Sequence, residues 1–251
     1  MVAETAKSMG CVLVCLCLCG LLLAVQARAQ EDVLFRDDFD DLSGWEPFSF
    51  RNIDRHSRYR VVNRGENSVL EATSDASASA LISRQRFSVS QYPVLQWRWQ
   101  VTRLYEKGNY LRKDGDDYPL RVYVIFEYDP ENADFGTRIS YELARTWYGD
   151  YPPHSSINYI WANRSEEREP VANPFTDRAI MIPLRSGPEY VGRWVEETVD
   201  VLADYQRLFG EPPPATASLA IMNDADNTGE AAISYIDYIE VRSRSSSLPV
   251  P

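Results

Sequence analysis

The chain has 251 residues, 44% of them hydrophobic and 25% charged, which is enough for a buried core and too apolar for wholesale disorder. A formal net charge of −11 excludes nonspecific nucleic-acid binding and electrostatic docking on anionic membranes. Among the cations Arg dominates: beyond residue 29 only Lys107 and Lys113 stand beside 22 arginines.

Residues 1–29 read as a secretory signal peptide. Lys7 supplies the positive start, Val12 to Val25 the apolar run, and Ala27-Arg28-Ala29 a small-x-small cleavage site before Gln30. The apolar run is short of the ~20 residues that span a bilayer, so no membrane span is expected after cleavage. Cys11, Cys15, Cys17 and Cys19 all lie in this segment. The mature chain is therefore expected to lack disulfides, thiolate metal sites and cysteine nucleophiles. The expected localisation is periplasmic or secreted.

From residue 30 to 241 no repeat or composition break divides the chain, which reads as one domain. The β signals in chain order are Tyr59–Val62, Ser68–Ala72, Val94–Val101, Arg121–Tyr128, Ile157–Trp161, Ala179–Leu184, Ser218–Met222 and Ile233–Val241. In Val94–Val101, Leu95, Trp97, Trp99 and Val101 share one face, which predicts both tryptophans for the core, while Gln96, Arg98 and Gln100 share the other. In Arg121–Tyr128, Val122, Val124 and Phe126 oppose Arg121, Tyr123 and Ile125. Two helices are expected: Ile139, Leu143 and Trp147 recur every four residues before Gly149, and Leu202, Tyr205 and Phe209 recur before Gly210. Residues 242–251, rich in Ser and Pro, read as a disordered tail. The expected fold is mainly β, an antiparallel β-sandwich of jelly-roll type with two short helices.

Five stretches carry a resemblance: FRDDFDDLSGW (Phe35–Trp45), QWRWQV (Gln96–Val101), KDGDDYPLRVYVIFEYDP (Lys113–Pro130), INYIWANR (Ile157–Arg164) and AIMNDADNTGEA (Ala220–Ala231). Together, and in this order, they resemble the bacterial exported domain-of-unknown-function family numbered three thousand and forty-seven. That resemblance implies no activity. More loosely, the opening stretch and the closing SYIDYIEV (Ser234–Val241) are similar to the first and last strands of carbohydrate-binding jelly rolls.

Four groups of residues are candidates for chemistry. Asp116 and Asp117, in the loop Lys113–Asp117, could hold a cation or sugar hydroxyls; the same letters also make a solvated hairpin turn. Asp224, Asp226 and Thr228, followed by Gly229, match positions one, three, five and six of a calcium loop. Position twelve is Tyr235 where a bidentate Glu belongs, so only a partial calcium site or a tight turn is left. Gln96, Arg98, Arg121 and Tyr123 would form a polar face with an aromatic in it if their strands lay side by side. Glu127, Asp129 and Glu131 would share a strand face as a glycosidase acid pair needs, although Pro130 interrupts the pattern. His56 and His154 lie in no metal-ligand spacing, and no GxGxxG, P-loop or HExxH occurs.

The reading is a non-catalytic binder of a glycan or other envelope component, with calcium as a candidate aid. The alternatives are a polysaccharide-cleaving enzyme using paired carboxylates and a structural envelope protein with a protein partner.

Overall fold

The computed structural model describes residues 32–131, 133, 136, 141 and 152–244. The expected signal peptide, the expected helix around Leu143 and nearly all of the expected tail lie outside the described residues. Residues 33–243 form one compact unit.

The unit is a β-sandwich. One sheet has six strands, in the order β11 (Val195–Asp200), β6 (Val94–Val101), β13 (Ala231–Arg242), β4 (Asn67–Asp75) and β3 (Arg58–Arg64). The sixth, β1 (Val33–Asp37), pairs with the far end of β13. The other sheet has seven, in the order β2 (Trp45–Phe48), β5 (Ala78–Phe87), β12 (Ala217–Asp224), β7 (Arg121–Phe126), β8 (Ser155–Ala162), β10 (Thr176–Ser186) and β9 (Val171–Asn173).

The two inner faces meet through large rings. On β6, Leu95, Trp97, Trp99 and Val101 are all fully buried, as their alternation requires. Trp97 lies 5.6 Å from Tyr159 of β8, and Trp99 lies 5.6 Å from Trp161 of the same strand, so aromatic pairs bridge the sheets. Burying one such side chain contributes roughly 1.5–3 kcal/mol, and a dozen large side chains here are fully enclosed. The acidic-aromatic opening is part of this packing. Asp37 accepts from the Phe39 amide at 2.8 Å and from the Trp45 indole at 2.7 Å, holding Phe39 in a left-handed turn (φ 54°) where it stacks on Trp45.

The single helix among the described residues with α geometry and full bounds is α1 (Val201–Phe209). The Asp200 side chain caps its start by accepting from Ala203, and Gly210 at φ 71° ends it. It buries Tyr205 against Phe126, with ring centres 4.5 Å apart. Most of the second expected helix lies outside the described residues, and a 3₁₀ turn spans Lys113–Gly115. No helix among the described residues is long and apolar enough to cross a membrane.

Two expectations are corrected. The sandwich is not wholly antiparallel: β10 runs parallel to β8, because β9 comes between them in sequence and reverses the chain before β10 begins. Strands β6 and β7 also do not lie side by side. They belong to different sheets, so the polar face of Gln96 and Arg98 and the polar face of Arg121 and Tyr123 point out of opposite sides of the sandwich.

Candidate functional site

Arg121 opens β7. Because Val122 enters the core, strand alternation turns Arg121 and Tyr123 to the outer face of the seven-stranded sheet. On neighbouring β12, Met222 is directly opposite Arg121, and Asp224, two residues on, projects from the same face. On the other side β8 places Asn158 opposite Tyr123. Five strands and four loops thus line a cleft of about 390 Å³, with Arg121, Tyr123, Asn158 and Asp226 among its lining and Phe50 and Phe175 as flanking rings.

The charged floor is buried. The Arg121 and Asp224 side chains are only 4% and 1% exposed, and Arg121 donates to Asp224 through both Nε, at 3.0 Å, and Nη2. It also donates from Nη2 to the Asp116 carbonyl at 3.1 Å and lies over the Tyr118 ring at 4.7 Å. A buried ion pair of this kind is tolerated because every polar edge finds a partner.

Asp116 and Asp117, expected on a solvated loop, are buried. The 3₁₀ turn Lys113–Gly115 bends the chain inward just before them. Asp116 accepts from Asn173 Nδ2 at 2.7 Å. Burial pushes its carboxyl above the usual carboxylate range, against the pull of Arg121 and Asn173. Asp117 accepts from the Thr228 amide at 2.6 Å and from Asn227 Nδ2 at 3.0 Å, fastening one loop of the cleft to the other.

The expected calcium spacing does not assemble as a metal site. Asp117, Asp224 and Asp226 do offer carboxylate oxygens within 4.8 Å of one another. Asp224 is committed to Arg121, and Asp117 to loop N–H groups. Thr228 turns its amide to Asp117 while its hydroxyl accepts from the Glu230 amide. A hard cation wants six to eight oxygens and would have to displace a guanidinium, so this donor set does not fit one. Asp226 is the more exposed of the three acids; burial first, then Asp117, raises its pKa.

The remaining expected residues lie elsewhere. Gln96 and Arg98 are on the opposite side of the molecule, where Gln96 donates to Tyr238 Oη at 2.9 Å and Arg98 to Asp237 at 2.8 Å. Glu127, Asp129 and Glu131 do not share a strand face, because β7 ends at Phe126. Arg86 donates to Glu127, and Asp129 accepts from the Glu131 amide at 2.9 Å, which bends the chain around Pro130.

Sequence reasoning missed Asn158, Asn173, Phe50 and Phe175. A signal existed for Asn158, a polar residue between the apolar Ile157 and Tyr159 on a strand pattern. The others sit at loop or edge positions that carry no periodicity.

The profile of the family described as "Protein of unknown function (DUF3047)" matches residues 43–240. The chain belongs to this family. The DUF3047 match takes in every strand that builds the cleft floor. Among curated proteins no sequence matches the chain. Among solved structures it is similar to the family 11 carbohydrate-binding module of the cellulosomal cellulase Lic26A-Cel5E of Clostridium thermocellum, at 10% identity and TM-score 0.45, covering 86% of this chain and 95% of that one. It is also similar to LamA from Z. galactanivorans in complex with laminaritriose and laminaritetraose, at 11% identity and TM-score 0.44, covering 84% and 98%. A third is endoglucanase 3 of Trichoderma harzianum, from family GH12, at 10% identity and TM-score 0.39, covering 86% and 100%.

Proposed function

We propose that the protein is an exported, periplasmic or secreted, non-catalytic binding protein of jelly-roll type that takes a glycan in the Arg121 cleft. The observation that carries this reading is the cleft itself: ring faces beside fixed polar groups, on a rigid sheet. Tyr123, Phe50 and Phe175 supply flat apolar surface for sugar C–H faces. Asn158 and Asp226 supply a donor and an acceptor for hydroxyls. Arg121 fixes the floor by holding Asp224 and Asp116, rather than meeting ligand as a free charge. Tyr123 and Asn158 stand on strands, which hold side chains more accurately than loops do, while Asp226, Phe50 and Phe175 come from the loops around them.

Thermal unfolding of the purified protein against a panel of soluble polysaccharides, with EDTA and with added calcium, tests this. The expected result is a raised melting temperature with one glycan class, equivalent to about 2.7 kcal/mol at a hundredfold excess over Kd. Tyr123→Ala should abolish that shift, and neither EDTA nor calcium should alter it. A panel without any shift, or a shift that survives Tyr123→Ala, overturns the reading.

A further inference from the structure

The charges around the cleft are unbalanced. Asp116, Asp224 and Asp226 line it against the one cation Arg121, and Asp117 lies directly behind. Arg121 is already engaged by Asp224 and by the Asp116 carbonyl. Asp226, partly exposed, makes no ion pair with any described residue. Acidic residues alone would mean little, since exposed ones are common.

A second feature points to a ligand. Asn158 is 1% exposed and lines the cleft. Its Oδ1 accepts from the Ser156 hydroxyl at 3.1 Å, while its Nδ2 donates to no described residue. The little of Asn158 that stays open faces the cleft it lines, so this free donor is available to an acceptor on a bound ligand. The rings complete the picture, because the faces of Tyr123, Phe50 and Phe175 attract cations through their quadrupoles. Two of these rings already meet a cation of the protein, Phe175 with Lys113 Nζ at 5.1 Å and Tyr123 with the Arg121 guanidinium at 5.8 Å, so the rings offer the ligand C–H stacking and the Asp226 carboxylate its charge partner.

We propose that the cleft selects a saccharide bearing a primary ammonium group, an amino sugar with its amine free, over neutral or uronic-acid counterparts. This rests on the glycan reading above. The ammonium takes the Asp226 carboxylate as its charge partner, a sugar oxygen accepts from Asn158 Nδ2, and the ring C–H face lies on an aromatic. N-acetylation would remove the charge and leave Asp226 uncompensated. A uronate would bring a fourth carboxylate into a cleft whose one guanidinium is taken.

Calorimetric titration with size-matched oligomers of glucosamine, N-acetylglucosamine and galacturonic acid tests the inference. The glucosamine oligomer is expected to bind about tenfold tighter than the acetylated one, the galacturonate oligomer not at all, and added salt should erode the preference. Asp226→Asn keeps the shape and removes the charge, so it should abolish the preference while a melting curve confirms that the variant is folded. Equal affinity for the amine and acetamide oligomers, or a preference that survives Asp226→Asn, overturns the ammonium inference and leaves the glycan reading standing. Spermidine binding as tightly as the glucosamine oligomer would overturn the glycan reading and uphold the ammonium site. Failure of every oligomer and of spermidine overturns the ammonium inference and leaves the glycan reading to the polysaccharide panel.

Discussion

The two outer faces of the sandwich each carry an arginine on a strand, and the two arginines have different fates. Arg98 on the six-stranded sheet keeps 39% of its side chain exposed, pairs with Asp237 and lies 5.2 Å from the centre of the Trp194 ring. Arg121 on the seven-stranded sheet is enclosed. The strands do not make this difference, since both residues follow the same alternation. The loops do: the chain before β7, the turn after β12 and the segment holding Phe50 rise around Arg121. A sheet face becomes a site when its loops wall it in and the groups on its floor are tied to one another.

Energies should separate the two faces most sharply. Asp224→Ala leaves the Arg121 guanidinium buried without its partner, and should cost about 3–5 kcal/mol in urea denaturation. Asp237→Ala strips a half-exposed arginine and should cost about 0–1 kcal/mol. Equal losses at the two sites would mean that the walls around Arg121 do not exclude water. Next in size is the paired replacement Arg121→Met with Asp224→Leu. It should restore stability to within about 1–2 kcal/mol of the natural protein, yet leave ligand binding absent, which separates the role of the pair in folding from its role in shaping the floor. Arg98→Ala should leave ligand affinity within about twofold, a difference below ~0.5 kcal/mol. A larger loss would move the binding surface to the six-stranded face.

The smallest effect concerns pH. The pKa of Asp226 is raised by burial and by Asp117, so the folded state binds its proton more readily than the unfolded chain does. Its contribution to stability is therefore fully present below the unfolded carboxylate pKa and is lost as pH rises through the folded one. Asp226→Asn should flatten that part of the stability profile. At neutral pH it should raise the melting temperature by roughly 1–2 °C, the scale of a few tenths of a kcal/mol in a domain of this size.

The sequence made some of this architecture legible and concealed the rest for identifiable reasons. Strands β6 and β7 could be read because each buries one face and alternates large apolar with polar residues. Strand β5 could not: Leu81 and Phe87 enter the main core, while Ala78 and Ala80 pack under Phe50 and Ile53 on the other side. A strand covered on both faces loses its alternation. Strand β11 (VEETVD) is an edge with few large apolar residues, so its pattern is faint. At the site, Asp116, Arg121 with Tyr123, and Asp224 each stand out in the sequence, but for different chemistry and in no shared local pattern. Nothing local joins Asp117 to Thr228, 111 positions later in the chain. An acidic Gly-containing stretch reads as a solvated turn unless the amides that will cover it are known.

The order in which the chain is made adds one more consequence. β13 is the strand that β6, β4 and β1 all pair with, and β12 joins β5 to β7; both come from the final part of the sequence. A chain that has reached only residue 216 lacks β13 in one sheet and β12 in the other, so β6 is parted from β4 and β5 from β7. Each sheet is then in pieces, β11-β6 apart from β4-β3 and β2-β5 apart from β7-β8-β10-β9. Loss of residues 217–242 would therefore split both layers at once.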